Sequence, residues 1–187
     1  MALELRTHRF TVDEYYRMAE AGILTEKDRV ELIEGEIVDM TPIGHRHALC
    51  VSLMTELFAV GFRDVAMVWA QNPLRLGQRS ETQPDLTLLR RRPDLYATRP
   101  PTVGDVLLLI EVSDTTAESD RRVKVPLYSR TGVPEVWLAD LEHGTITVYL
   151  DPTPDGYRAA RVLRRGERVA PTAFPDRALA VSDLLPE

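Results

Sequence analysis

The sequence predicts an α/β fold in which helices flank a central mixed β-sheet, and three features carry that expectation. Val106 to Ile110 is apolar at every position, the pattern of a strand covered on both faces. Between His45 and Val60, apolar residues recur at Leu49, Leu53 and Leu57 and again at Cys50, Met54 and Phe58. That is the three-to-four spacing of a helix with one buried face. Along the chain the order reads helix, hairpin, helix, three strands, helix, strands, which suits a mixed sheet with helices packed on it.

Thr11-Val-Asp-Glu14 has the form of a capping box, in which the threonine hydroxyl and the glutamate each satisfy an orphan amide. A first helix should therefore start at Val12 and end near Gly22. Arg29 to Met40 reads as two short strands folded about Glu34-Gly35, where glycine supplies the positive φ of a tight hairpin. The helix from His45 ends at Gly61. Val65 to Leu76, Gln83 to Leu89 and Val106 to Val112 are short, rich in branched or aromatic residues and bounded by proline or glycine, as strands are. Ser113-Asp-Thr-Thr116 can cap a helix from Ala117 to Arg130 that stops at Gly132 and Pro134. Glu135 to Asp140 and Thr145 to Leu150 form a hairpin about His143-Gly144. A last hairpin turns about Arg165-Gly166 with Tyr157 to Leu163 as its first strand, and Leu179 to Leu185 adds an edge segment.

With 187 residues, 44% of them hydrophobic, the chain suits one substantial core, so residues 1–187 are expected to form a single domain. Its core spans about residues 10–150, and the C-terminal hairpin and edge segment span 151–187. No repeat or low-complexity stretch divides it. The longest apolar run, Val106 to Ile110, is far short of the ~20 residues that span a bilayer, which excludes a membrane protein. The N-terminus has basic residues but no apolar stretch after them, so the cytoplasm is the expected location. Cys50 is the one cysteine, which excludes an internal disulfide and a cysteine-based zinc cluster and points to core packing. A net charge of −6 argues against a surface basic all over and leaves room for a local basic groove.

Two carboxylates stand where a packed strand would not keep them without a partner. On a strand alternate side chains share a face, so Leu107, Leu109 and Glu111 should point one way. Asp85 opens the next run, Asp-Leu-Thr-Leu-Leu, and shares a face with Thr87 and Leu89. A buried ionised carboxylate survives when hydrogen-bonded, paired with a cation or bound to a metal. If the strands are neighbours the two acids converge, and paired carboxylates with water and phosphate oxygens are the ligand set of Mg2+, with Mn2+ also fitting. Such an ion polarises a phosphoryl oxygen and lowers the pKa of bound water, chemistry suited to phosphodiester hydrolysis. Asp120, Lys124 and Tyr128 follow at intervals of four, along one helical face. Of the 23 cations 21 are arginines, so the lysine at 124 hints that a compact ammonium is wanted there. His45 and His47 lack the partners zinc needs and read as supporting or structural residues. Arg90-Arg-Arg92 could hold a phosphate backbone, though such a run is more often a solvated face.

Glu31-Leu-Ile-Glu-Gly-Glu36, Pro84-Asp85, Glu111-Val-Ser-Asp-Thr115, Asp120 with Lys124 and Tyr128, and Gly132-Val-Pro-Glu-Val-Trp137-Leu-Ala-Asp140 together resemble the large bacterial Uma-type family of restriction endonucleases. The resemblance covers about residues 10 to 185. It implies the restriction-endonuclease-like fold of the PD-(D/E)XK nuclease superfamily, with Asp85 and Glu111 at the metal-binding positions and DNA as substrate. The superfamily lysine usually stands two residues after the acid, where this chain has Ser113, so Lys124 on the following helix is the matching position. Glu31 or Glu36 adds a further acidic group, and Glu31 is the better match. Members of the superfamily that cut both strands commonly pair, which makes a homodimer the expected assembly. The competing reading keeps the same fold as a non-catalytic or partner-dependent binding or regulatory module.

Overall fold

The computed structural model describes residues 7–25, 27–114 and 117–186; residues 1–6 and the Thr115-Thr116 part of the expected helix cap lie outside them. A six-stranded mixed sheet forms the centre. Its order is β10-β9-β8-β7-β6-β3, with β3 Ala66–Ala70, β6 Leu86–Arg90, β7 Val106–Ser113, β8 Glu135–Asp140, β9 Thr145–Thr153 and β10 Gly156–Arg164. β7 and β8 are parallel and the other neighbours antiparallel. Helix α2 (His45–Phe62) covers one face through Cys50, Met54 and Phe58, which share a core with Leu86, Leu108, Ile110 and Trp137. Helix α4 (Lys124–Thr131) covers the other face, where Leu127 and Tyr128 pack with Leu89, Leu109 and Val136. Among the described residues no helix is long and apolar enough to cross a membrane.

A smaller sheet, ordered β2-β1-β5-β4, leans on the α4 side. It comprises β1 Val30–Ile33, β2 Glu36–Asp39, β4 Leu74–Arg75 and β5 Glu81–Thr82. Helix α1 (Val12–Glu20) precedes it, and both halves of the expected capping box form between Thr11 and Glu14. The hairpin turns at Glu34 and Gly35, with φ of 50° and 83°. Gly35 is also clamped: its carbonyl accepts from the Phe10 amide at 2.9 Å and its own amide donates to Arg79 at 2.7 Å. An added Cβ would meet Arg9 Cβ at 2.8 Å and the Phe10 carbonyl at 3.0 Å. Gly35→Ala is accordingly expected to lower stability by roughly 1–3 kcal/mol, read as a shift in the urea midpoint.

Several elements differ from the sequence expectation for identifiable reasons. The segment Val65 to Leu76 is not one strand: the chain leaves the central sheet after Ala70, Gln71 takes φ 48°, and β4 joins the smaller sheet. Helix α2 runs through Gly61 to Phe62, because Phe62 is buried and stacks on Phe58 with ring centroids 5.1 Å apart. Its buried stripe is Cys50, Val51, Met54, Phe58 and Phe62, which leaves Leu49 exposed. The helix expected over Ala117 to Arg130 is two, α3 (Ala117–Arg122) and α4, because Pro126 has no amide to offer the Arg122 carbonyl and its ring crowds that turn.

The turn at Arg165-Gly166 does not close a hairpin on β10. β10 pairs with β9 across Asp155, while β11 (Arg168–Val169) pairs with β12 (Leu179–Ala180). Leu179 to Leu185 is therefore that short strand followed by α5 (Val181–Leu184), whose Val181 and Leu184 close the α2-side core. Finally, Leu107 does not share a face with Leu109 and Glu111. Leu88 pairs with Leu108 but Leu89 with Val106, so Leu107 is the extra residue of a β-bulge and packs beside Leu108 on the α2 side.

Candidate active site

The chain brings Glu31, Asp85, Glu111 and Lys124 together where the two sheets and α4 meet. Leu86 pairs with Ile110, and one step further in that antiparallel register sets Asp85 beside Glu111. Val112, next to Glu111, donates its amide to Asp85 Oδ2 at 2.9 Å. The parallel neighbour β8 places Leu138 opposite Glu111, so apolar groups wall the acid in. Asp85 is 8% exposed, Glu111 4% and Glu31 5%. Such burial is tolerable for ionised carboxylates only with compensation.

Compensation comes from α4. Lys124 Nζ lies 3.3 Å from Glu111 Oε1 and 3.2 Å from Glu31 Oε2, bridging the central sheet to β1. The Tyr128 hydroxyl, one turn on, donates a short hydrogen bond to Glu111 Oε1. From α3, Asp120 accepts from Ser113 Oγ at 2.5 Å. Glu31 Oε1 also accepts the Gln83 amide at 2.7 Å. Despite the break at Val123, all three side chains expected on one helical face reach the C-terminal end of β7.

Burial pushes Glu111 up to about 8, with Asp85, Glu31 and Asp120 adding to the rise and Lys124 opposing it. Burial alone would lower Lys124, but attraction to Glu111, Glu31 and Asp120 outweighs it and holds the ammonium above its ordinary range. Burial, with Glu111 beside it, likewise raises Tyr128, so the phenol stays a donor. The site is therefore short of positive charge, and its free valence is made of oxygens.

His47, in the first turn of α2, places Nε2 3.0 Å from Asp85 Oδ2, and that hydrogen bond raises the imidazole above its ordinary value. Gln71 Nε2 approaches Asp85 Oδ1 at 3.5 Å. Neither periodicity nor charge could have marked Gln71, which depends on the chain leaving the sheet at a left-handed residue. Glu36 stands apart, exposed and paired with Arg9 at 2.6 Å. His45 is exposed. Arg91 donates to the Arg63 carbonyl and Arg92 grips Asp94, so these two guanidiniums have protein partners.

Cys50 is core, as expected: it is fully buried and its thiol points to the Leu184 carbonyl at 3.3 Å. Burial, with Asp85 a lesser influence, pushes the thiol up to about 12. Labelling of the native protein by a thiol reagent at neutral pH should be at least ~100-fold slower than in urea, since the thiolate is the nucleophile and access is closed.

Among the described residues no group of three or more His, Cys, Asp or Glu is arranged to hold a metal ion. The donor set nevertheless suits a hard cation. Asp85 and Glu111 offer carboxylate oxygens in a site that lacks positive charge, and Mg2+ is commonly held by one or two carboxylates, the rest of its shell being water and substrate phosphate.

A mixed sheet with helices on both faces and a helical crossover between parallel β7 and β8 is a restriction-endonuclease-like fold. The chain belongs to the Uma2 family, described as "Putative restriction endonuclease", whose model matches residues 12–182. Among solved structures it is similar to a "putative nuclease" from Anabaena variabilis, with a TM-score of 0.71 and 17% identity over 94% of this chain and 97% of that one. No curated protein matches it in sequence.

Proposed function

We propose that this protein is a metal-dependent endonuclease that hydrolyses phosphodiester bonds of DNA, with Asp85 and Glu111 holding Mg2+ or Mn2+, Lys124 orienting the attacking water and Glu31 assisting. One observation carries the reading: two buried carboxylates from adjacent strands share a site with an ammonium whose ion partners are Glu111 and Glu31. The bound ion would polarise a phosphoryl oxygen and lower the pKa of a water. Lys124, held protonated by its neighbours, has no lone pair with which to take a proton. It acts instead as a donor that orients water and offsets the charge that builds on the phosphorane. Glu31 steadies that ammonium, and Tyr128 fixes Glu111 through its Oε1. The acidic whole makes DNA contact a matter of local arginines, and pairing of two copies would supply one site per strand.

The test is cleavage of labelled single- and double-stranded DNA by purified protein with Mg2+, Mn2+ or chelator, beside folded Asp85→Ala and Lys124→Ala. Metal-dependent cutting that falls at least ~100-fold in both variants is expected, the usual scale for removing a group that stabilises the transition state. No cutting by the wild type with either metal, or equal cutting by the variants, would move the non-catalytic or partner-dependent module ahead.

A further inference from the structure

We propose that His47 is the positioning residue for Asp85, fixing its carboxylate so that Oδ1 is the oxygen presented to the metal; this rests on the reading of Asp85 as a ligand. Two donors converge on Oδ2: the Val112 amide at 2.9 Å and His47 Nε2 at 3.0 Å. An ionised carboxylate only accepts, so Nε2 must carry the hydrogen in that bond. Oδ1, by contrast, meets Gln71 Nε2 at 3.5 Å, the outer limit of a hydrogen bond. One oxygen is thus committed twice and the other is left for a ligand.

The terminal torsion of an aspartate is broad, so a single main-chain bond would leave the carboxylate free to swivel. The imidazole is the second pin. Its placement argues that this is its purpose. His47 Nδ1 is buried and has no hydrogen-bond partner among the described residues, so the ring's polar contact is Asp85. A histidine kept for the fold would ordinarily satisfy both nitrogens. It also stands on a rigid element, since Cys50, Met54 and Phe58 anchor the same helix in the core, and rigid supports are what hold a ligand's orientation.

The deciding measurement is Mn2+ binding in the absence of DNA, by calorimetry and by the EPR signal of free ion, for wild type, His47→Phe, His47→Gln and Asp85→Asn, each shown folded by circular dichroism. His47→Leu replaces the phenylalanine variant if that one does not fold. His47→Phe should bind Mn2+ about 10–100-fold more weakly, the usual effect of removing a partner behind a metal ligand. His47→Gln, which restores an amide donor, should recover most of the loss. Equal weakness in the phenylalanine and glutamine variants, or wild-type affinity in His47→Phe while Asp85→Asn loses binding, overturns the positioning role alone. Wild-type affinity in Asp85→Asn overturns both that role and the assignment of Asp85 as a ligand.

Discussion

Replacing Lys124 with methionine will lower the stability of the metal-free protein by about 3–5 kcal/mol, the cost of leaving a buried charge without its partner. The methionine fills similar volume, so the loss reports charge rather than a cavity. Glu111 and Glu31, each about 5% exposed in the side chain, would face each other with no cation between them. The pH dependence follows from the sign of the Glu111 shift. Its folded value already lies above the ordinary 4.5, and without the lysine it rises further. Folded protein then holds a proton that unfolded chain has released, so stability falls as pH rises. The urea midpoint of Lys124→Met should go on falling above about pH 8, where the Glu111 contribution in the wild type levels off. A midpoint unchanged from wild type across that range would show that the ammonium is not the partner these acids rely on.

The second large effect lies in the core. Trp137→Ala should cost about 3–5 kcal/mol, the range for emptying a large buried aromatic site. Trp137 is fully buried at the centre of β8, between Ile110 on β7 and Val148 on β9, with the Phe58 ring edge-on at 6.0 Å. Its indole also donates to Glu135 Oε1 at 2.6 Å. Glu135 is itself 2% exposed and also accepts from the Thr172 amide at 2.7 Å. Trp137→Phe separates the two contributions: it retains most of the ring and removes the donor, for an expected loss of about 1–3 kcal/mol. Equilibrium urea unfolding followed by circular dichroism distinguishes the pair, and equal losses would assign the whole effect to the hydrogen bond.

What could be read before any coordinates was whatever depends on local pattern. The capping box at Thr11 and Glu14, the Glu34-Gly35 turn and the apolar strand at Val106 to Ile110 are set by neighbouring residues, and all three stand as expected. Asp85 and Glu111 were conspicuous because alternation placed acids in line with leucines. The split between α3 and α4 was also local, since Pro126 and Arg122 are four apart, but the longer spacing of Asp120, Lys124 and Tyr128 masked it. Other features are properties of pairs distant in sequence. His47 finds Asp85 only once α2 lies on the sheet, and Glu31 joins Lys124 only once the two sheets meet. The departure of Gln71 from the sheet depends on where β4 finds its partner.

The extra residue in β7 has a consequence for how the strand is read. A strand of alternating side chains has two frames, and every position belongs to one of them. In unbroken alternation Val106 would fall in the frame of Leu108 and Ile110, on the α2 side. The bulge resets the frame within one strand, so that Val106 packs with Leu89 toward α4 while Leu109 and Glu111 hold to that side as well. Sequence comparison that aligns β7 by alternation alone will therefore be out of phase on one side of Leu107. A one-residue deletion there would regularise the strand and leave both Val106 and the Glu111 end on the α4 side.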